Sequence, residues 1–263
     1  MTSQELLDHV DSGLLWPVPL NPDFKITAAY QAALAMRDLR VARGEVPKGY
    51  KIGFTNRNIW PRYQVYAPIW GTVWSTTLSF CDGEGDICLT PSCQPRIEPE
   101  VVFGMKATPA PGASLEDLYS AIEWVAPGFE VVQSHLLDWK FRAPDAIADG
   151  ALHARLLVGP KIEVSTIAAN STELDSLLAA MHVSLFKNGN VADSGIGANV
   201  LDSPLRALHH FLKDLRECQG AQDLRPGDVI TTGTLTDAWP VGPGECWTAK
   251  FGTPLSSLTV KFN

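Results

Sequence analysis

The segment Arg96-Ile97-Glu98-Pro99-Glu100-Val101-Val102-Phe103 sets two acids one residue apart in an otherwise apolar run. Side chains of a strand alternate faces with a period of two, so Glu98 and Glu100 point the same way. Like charges placed side by side on a sheet repel. A solvent-exposed face accommodates such a pair. Glu130 opens a second reading, because it too interrupts an apolar strand, between Phe129 and Val131. Three glutamates on two strands can share one cavity. Converging carboxylates stay ionised together only around a cation, and a hard divalent ion with oxygen ligands, Mg²⁺ or Mn²⁺, suits them. Such a set leaves coordination positions for water and a chelating substrate.

Lys51 is the candidate proton carrier. It lies between Gly49 and Gly53, next to apolar Ile52 and Phe54. Buried beside a cation, its pKa would be pushed down and it could act as acid or base. The alternative is an exposed lysine at the start of a strand. Thr232-Gly233-Thr234 offers two hydroxyls and a glycine at a strand end, suited to a substrate carboxylate or simply to a Thr-rich strand. Lys140 and Arg142 can neutralise carboxylates or sit in a solvated loop. Asp149 can stand behind the ligands, holding a lysine or a metal-bound water. His135 and His153 read as structural, and His209-His210 receive no role.

Several elements must position these residues. Residues 3–11 suit a short helix, and LLWPVPLNPDF, with three prolines, an irregular arm. Thr27 is placed to cap a helix reaching about Val41, with Gly44 ending it. Tyr50 to Phe54 reads as a strand. Pro99 places the Glu-Pro-Glu strand at a sheet edge or a bulge, since proline lacks a ladder donor. Ser114 opens a helix over SLEDLYSAIEWV with a Ser-x-x-Asp capping box, and Gly128 to Gln133 is a strand. His153–Val158 and Ile162–Ser165 are further strands. Asn188-Gly189 marks a hairpin, because it supplies positive φ angles. Ser203-Pro204 starts a helix to about Glu217. Helices come early and strands dominate after about residue 95, which favours α+β over alternating βαβ. No GxGxxG follows a strand and there is no P-loop.

The segments "GYKIGFTN" (49–56), "RIEPEVVFG" (96–104), "FEVVQSHLLDWKFRAPDAIAD" (129–149) and "TGTLTDAWPVGPGE" (232–245) resemble the hydratase/decarboxylase branch of the fumarylacetoacetate hydrolase superfamily. That branch includes 2-oxopent-4-enoate hydratases, 2-oxohept-4-ene-1,7-dioate hydratases and 4-oxalocrotonate decarboxylases. The resemblance runs from about residue 25 to the C-terminus. It implies that Glu98, Glu100 and Glu130 are metal ligands and that Lys51 faces the same cavity. It also implies a mixed, strongly curved β-sheet roll with a smaller N-terminal helical part, a 1–48 arm ahead of a 49–263 catalytic unit. Members are typically homo-oligomers. The implied substrate is a 2-oxo or 2-hydroxydienoic acid chelated through its carboxylate and 2-oxygen. The metal stabilises the charge developed there.

The chain departs from that branch in the loop after Lys51. Residues 55–80 contain no Asp, Glu or His. Hydratases carry an acidic residue there, and it would fall near Pro68-Ile69-Trp70. Arg57, Arg62, Tyr63 and Tyr66 are the loop's ionisable candidates. Trp60, Trp70 and Trp74 suit an apolar lid, with Trp70 against the substrate, or equally a core or a subunit interface. The expectation is a metal-dependent lyase, hydratase ahead of decarboxylase. An acylpyruvate-type C–C hydrolase is disfavoured because no His/Glu pair is present to activate water. A non-catalytic protein with a closed, structural metal cage is the alternative of another class.

Bulk properties bound these readings. The chain has 263 residues, 45% hydrophobic, with net charge −8 and no Lys/Arg cluster, which disfavours nucleic acid and anionic membranes. No apolar run approaches the roughly 20 residues of a membrane helix. No secretory signal is evident, and a cytoplasmic setting is expected. Cys81, Cys88, Cys93, Cys218 and Cys246 match no zinc spacing and read as free thiols.

Overall fold

The computed structural model describes residues 1–263, apart from the side chain of Arg62. That side chain, named among the loop candidates, lies outside the described residues. Helices α1 (Ser3–Ser12) and α2 (Ile26–Ala42) lead into strand β1 (Pro47–Gly53). A short helix, α3 (Trp60–Tyr63), precedes β2 (Ile69–Trp74), β3 (Leu78–Phe80), β4 (Glu84–Ile87) and the long β5 (Arg96–Met105). Helix α4 (Leu115–Ala121) runs straight into β6 (Ile122–Val132). Then come α5 (Ala143–Ala148), β7 (His153–Val158), β8 (Ile162–Glu163) and α6 (Ser171–Ala180). The remainder is β9 (His182–Lys187), β10 (Asn190–Ile196), α7 (Pro204–Glu217), β11 (Val229–Thr234), β12 (Trp239–Pro240), β13 (Cys246–Phe251) and β14 (Leu258–Phe262).

The larger sheet has the order β2-β1-β11-β5-β6-β7-β3, with β12 added to β5 and β8 to β6. The smaller has the order β10-β9-β13-β14-β4. Both are mixed: β1 is parallel to β11, β3 to β7 and β14 to β4. The larger sheet curls into a half-barrel. Its ladder slips between Thr231 and Thr234 of β11, where one extra residue stands opposite β5. Such bulges bend a strand and re-aim its side chains. The expected α+β roll with strong curvature is therefore present.

Helix α7 shows why the helical layer stays put. Leu205, Leu208, Leu212 and Leu215 recur at helical spacing, and all are buried with Phe211. Each such side chain contributes roughly 1.5–3 kcal/mol when removed from water. Ser203 caps the helix through Leu205 N–H and Pro204 occupies its first turn, as the sequence indicates. The β9–β10 turn also follows the sequence, with Asn188 at φ 49° and Gly189 at φ 83°.

The N-terminal arm packs beside the future site. Leu6, Leu7, Trp16, Leu20 and Met36 share a buried cluster with Ile69, Val132 and Ile147. Arg142 fastens the arm by donating to the carbonyls of Leu20, Asn21 and Pro22 at 3.0, 3.2 and 2.8 Å.

Four local expectations need correction. Thr27 lies inside α2, whose N-cap is Lys25 without a side-chain cap bond. The helix opened by Ser114 stops at Ala121, because Ile122 to Val125 are claimed by pairing with β5. Strand β8 covers only Ile162–Glu163 before a 3₁₀ turn. Finally, Pro99 is not at an edge, since β5 lies between β11 and β6. Its carbonyl accepts from Leu235 N–H at 3.0 Å. In an antiparallel ladder a residue's N and O face the same neighbour. The missing donor therefore falls beside the bulged end of β11, where regular pairing has already lapsed.

Candidate metal centre and substrate cavity

Register builds the centre. Glu98 of β5 stands opposite Glu130 of β6, and Glu100 opposite Gly128. The shared face brings one carboxylate oxygen from each of Glu98, Glu100 and Glu130 within 4.8 Å of one another. Glu100 and Glu130 are fully buried. At that spacing and an effective dielectric of about 20, each ionised pair repels by about 3.5 kcal/mol. Burial first, and then the neighbouring carboxylates, push Glu100 well above the usual carboxylate range. Burial pushes Glu98 up to about 7 against the pull of Lys51. Glu130 stays below the usual range, because Lys51 and His153 outweigh its burial. Two buried oxygens, Glu100 Oε1 and Glu130 Oε2, accept no hydrogen bond. Orphaned carboxylate oxygens converging in this way fit a hard divalent cation.

The bulge in β11 supplies the third side. Gly233, at φ 100°, donates its N–H to Glu100 Oε2 at 2.7 Å. A Cβ there would stand 1.9 Å from Thr55 Oγ1, so only glycine fits. Lys51, 3% exposed, reaches in from β1. Its Nζ lies 3.3 Å from Glu130 Oε2 and donates to Ala151 O at 3.0 Å. Burial alone would lower the Lys51 pKa, but Glu130, Glu98 and Glu100 together hold it above the usual lysine range. The expected depression therefore does not hold for the carboxylates alone.

His153 enters from the start of β7. Its Nδ1 lies 2.8 Å from Glu130 Oε1 and its Nε2 lies 2.8 Å from Thr77 Oγ1. Burial lowers its pKa. Sequence reading set His153 aside as structural. The only signal was its place at the head of a strand beside the acidic segment, which does not identify a contact.

A cavity of about 360 Å³ opens over the centre, with Lys51, Glu98, Arg96 and Thr234 in its wall. Its apolar side is a stack of aromatic rings. Phe54 lies 4.7 Å from Tyr63, and Tyr63 lies 5.3 Å from Phe141, all nearly parallel. Arg96 sits 4.3 Å above the Trp139 ring. Trp60 supports this wall by donating Nε1–H to Phe54 O at 2.7 Å. Asp237, unassigned in the sequence reading, also borders the cavity.

Other expected site residues lie elsewhere. Trp70 is a buried strand residue stacked on Tyr30 at 4.6 Å, and it borders different cavities. Trp74 is buried in the same strand. For these two the core reading holds rather than the lid. Lys140 is exposed and pairs with Asp138 at 3.2 Å. Asp149 does not touch a ligand or Lys51 in any hydrogen bond described. It binds His135 instead, accepting from the backbone N–H at 3.1 Å and facing Nδ1 at 2.6 Å.

A curled mixed sheet gathers three glutamates and a lysine under an aromatic-walled cavity, an all-oxygen set of the kind that suits a hard divalent cation with room for a ligand beside it. Comparison with known proteins specifies the lineage. The sequence profile of the fumarylacetoacetate (FAA) hydrolase C-terminal family matches residues 64–259, and the chain belongs to this family. It is 33% identical over 229 residues to a 2-hydroxyhexa-2,4-dienoate hydratase of Comamonas testosteroni, covering 86% of this chain and 82% of that protein. It is 31% identical over 242 residues to a 4-oxalocrotonate decarboxylase of Pseudomonas sp. (strain CF600), covering 92% and 87%. Among solved structures, 4-oxalocrotonate decarboxylase from Pseudomonas putida G7 complexed with magnesium and adipate superposes with a TM-score of 0.85 at 28% identity, covering 99% of this chain and 97% of that one.

Proposed function

We propose that the chain is a divalent-metal-dependent lyase that hydrates a 2-hydroxydienoic (2-oxo-enoic) acid of the kind formed when aromatic rings are degraded. The observation that carries this reading is the convergence of Glu98, Glu100 and Glu130 within 4.8 Å, with Lys51 Nζ 3.3 Å from Glu130. Hydratase names among the relatives support it. A cation held by the three carboxylates would supply Lewis-acid stabilisation of the negative charge that develops on the substrate's 2-oxygen. Mg²⁺ or Mn²⁺ fits an all-oxygen donor set.

The chain's own groups account for the rest. The stacked Phe54, Tyr63 and Phe141 form a flat apolar wall against which a conjugated acid can lie. Thr234 offers a hydroxyl at the cavity wall. Among described residues, the ionisable groups bordering the cavity are Lys51, Tyr63, Arg96, Glu98 and Asp237. Lys51, beside the carboxylates, is placed to hold or move a proton at the substrate carbon. Asp237, in the loop after β11, is the cavity-wall carboxylate outside the ligand set and our candidate for the acid missing from the 55–80 loop.

One observation favours a second reading, decarboxylation of a six-carbon diacid. Arg96 shares the strand face of Glu98 two residues away and lines the same cavity, where a guanidinium suits the second carboxylate of such a diacid. The relative bound to adipate is itself a 4-oxalocrotonate decarboxylase. The two readings are tested by incubating the Mg²⁺- and Mn²⁺-supplemented protein with 2-hydroxypenta-2,4-dienoate and with 2-oxohex-3-enedioate. Loss of the dienol chromophore without CO₂ supports hydration, and CO₂ release supports decarboxylation. Inactivity on both, with metal bound, removes the lyase assignment.

The proposal extends to the setting. Five unpaired cysteines support a reducing, cytoplasmic compartment, and among the described residues no helix is long and apolar enough to cross a membrane. Self-association into a homo-oligomer, the typical state in the family the sequence resembles, completes the proposal and is checked by light scattering.

A further inference from the structure

Glu130 is held from behind. Its Oε1 lies 2.8 Å from His153 Nδ1, whereas its Oε2 receives no hydrogen bond and faces Lys51 Nζ at 3.3 Å. A carboxylate offers only lone pairs, so the imidazole proton of this contact sits on Nδ1. His153 Nε2 in turn meets Thr77 Oγ1 at 2.8 Å. Thr77 is itself fixed, accepting Trp74 N–H at 3.1 Å in the turn that follows β2. His153 and Thr77 are 7% and 8% exposed, and Glu130 is fully buried. Among the described residues no histidine bonds the two other carboxylates, and Glu100 is held by the Gly233 backbone N–H.

We propose that His153 is a positioning residue for the metal centre. It engages Glu130 Oε1, so that Glu130 presents the single oxygen Oε2 inward, and Thr77 sets the rotation of the imidazole. This rests on the reading of Glu98, Glu100 and Glu130 as ligands. A carboxylate held by one oxygen donates with the other, leaving positions open for a chelating substrate, whereas a freely turning one can occupy two positions at once. The sheet alone does not secure this, because the β6–β7 ladder slips between Val131 and Val132, just after Glu130. His153 bridges the strands at that slip.

The test is metal binding to the full-length, metal-stripped protein, titrated with Mn²⁺ by calorimetry and followed by the Mn²⁺ electron paramagnetic resonance spectrum. His153→Ala is expected to weaken binding about 10–100-fold. His153→Asn places an amide N–H near the Nδ1 position and should restore most of the loss. His153→Gln, whose amide reaches towards Thr77 instead, should not. A merely structural histidine predicts that Asn and Gln behave alike, and equal affinities for the two, or wild-type affinity in the alanine variant, would overturn the proposal. Thermal unfolding of each variant identifies any that fail to fold; the Asn–Gln comparison stands if the alanine variant does. Glu98→Ala separates the two levels of inference. If it leaves Mn²⁺ affinity unchanged, the ligand reading itself falls. If it abolishes binding while the His153 variants bind as wild type, only the positioning role falls.

Discussion

Glu98 and Glu130 face each other directly across the β5–β6 ladder, an arrangement that opposes two like charges where a sheet ordinarily pairs complementary ones. The curled sheet keeps this unfavourable pair and adds Glu100 beside it, an arrangement that a cation held there would turn from repulsion into binding.

Neutralising one member should therefore stabilise the metal-free chain while disabling it. Glu100→Gln is expected to raise stability without metal at pH 7 by about 1–3 kcal/mol, since it removes the cost of either taking up a proton on Glu100 as the chain folds or burying it ionised beside its neighbours. The same variant should lose at least tenfold in Mg²⁺ affinity. Thermal melts with and without Mg²⁺ check both: the variant should melt above wild type without metal and gain little from adding it.

Protonation should compete with the metal near neutrality. Glu98 is raised to about 7, and Glu100 is raised well above the usual carboxylate range, both chiefly by burial. A carboxyl raised on folding binds more protons in the native state, so its contribution to stability is present below the unfolded value and lost as pH rises through the folded one. Without metal, stability should thus decline between about pH 4.5 and 7 from Glu98. Binding must expel these protons, so affinity should climb over the same range. Calorimetry in buffers of different ionisation enthalpy should show proton release on binding; none at pH 6 would contradict the assignment.

Arg96 should separate diacids from monoacids. Arg96→Leu is expected to raise KM for 2-oxohex-3-enedioate about 10–100-fold, the loss of a charge-assisted bond, and to leave 2-hydroxypenta-2,4-dienoate within about threefold. Equal losses on both substrates would assign Arg96 to the centre's general electrostatics instead.

Trp70 and Lys140 should prove silent in catalysis. Trp70→Ala opens a cavity in a packed core and should cost about 3–5 kcal/mol of stability, with the folded fraction keeping its kcat. Lys140→Ala, at an exposed ion pair, should change neither stability nor rate beyond error. Steady-state kinetics beside denaturant melts distinguish these outcomes.

Much of this architecture was legible in the residues. Period-two spacing placed Glu98 and Glu100 on one face, Asn188-Gly189 marked its turn and Ser203-Pro204 its helix, because each is a local rule. Pro99 was read half correctly: the bulge it needs lies in the neighbouring β11, which no local pattern exposes. The strand from Ile122 was read as helix because Ile-Glu-Trp-Val follows a good cap, and pairing with β5 overrode that preference. His153 and Asp237 were missed for the same reason. Their place at the cavity or beside Glu130 is set by partners distant in the chain. Trp70 was drawn to the site by sequence proximity to Lys51, although a strand reversal carries it to the helical side. Lys140 and Asp149 followed the same reasoning from Glu130.

The centre draws on β1, β5, β6, β7 and β11, strands spread from Lys51 to Gly233. Pairings so remote in sequence are slow to close, because the loop-closure entropy is lost before the contacts offset it. No fragment can own this site. A cation that recognises it would report that the whole sheet has closed, so metal uptake marks maturation of the polypeptide as well as readiness for substrate.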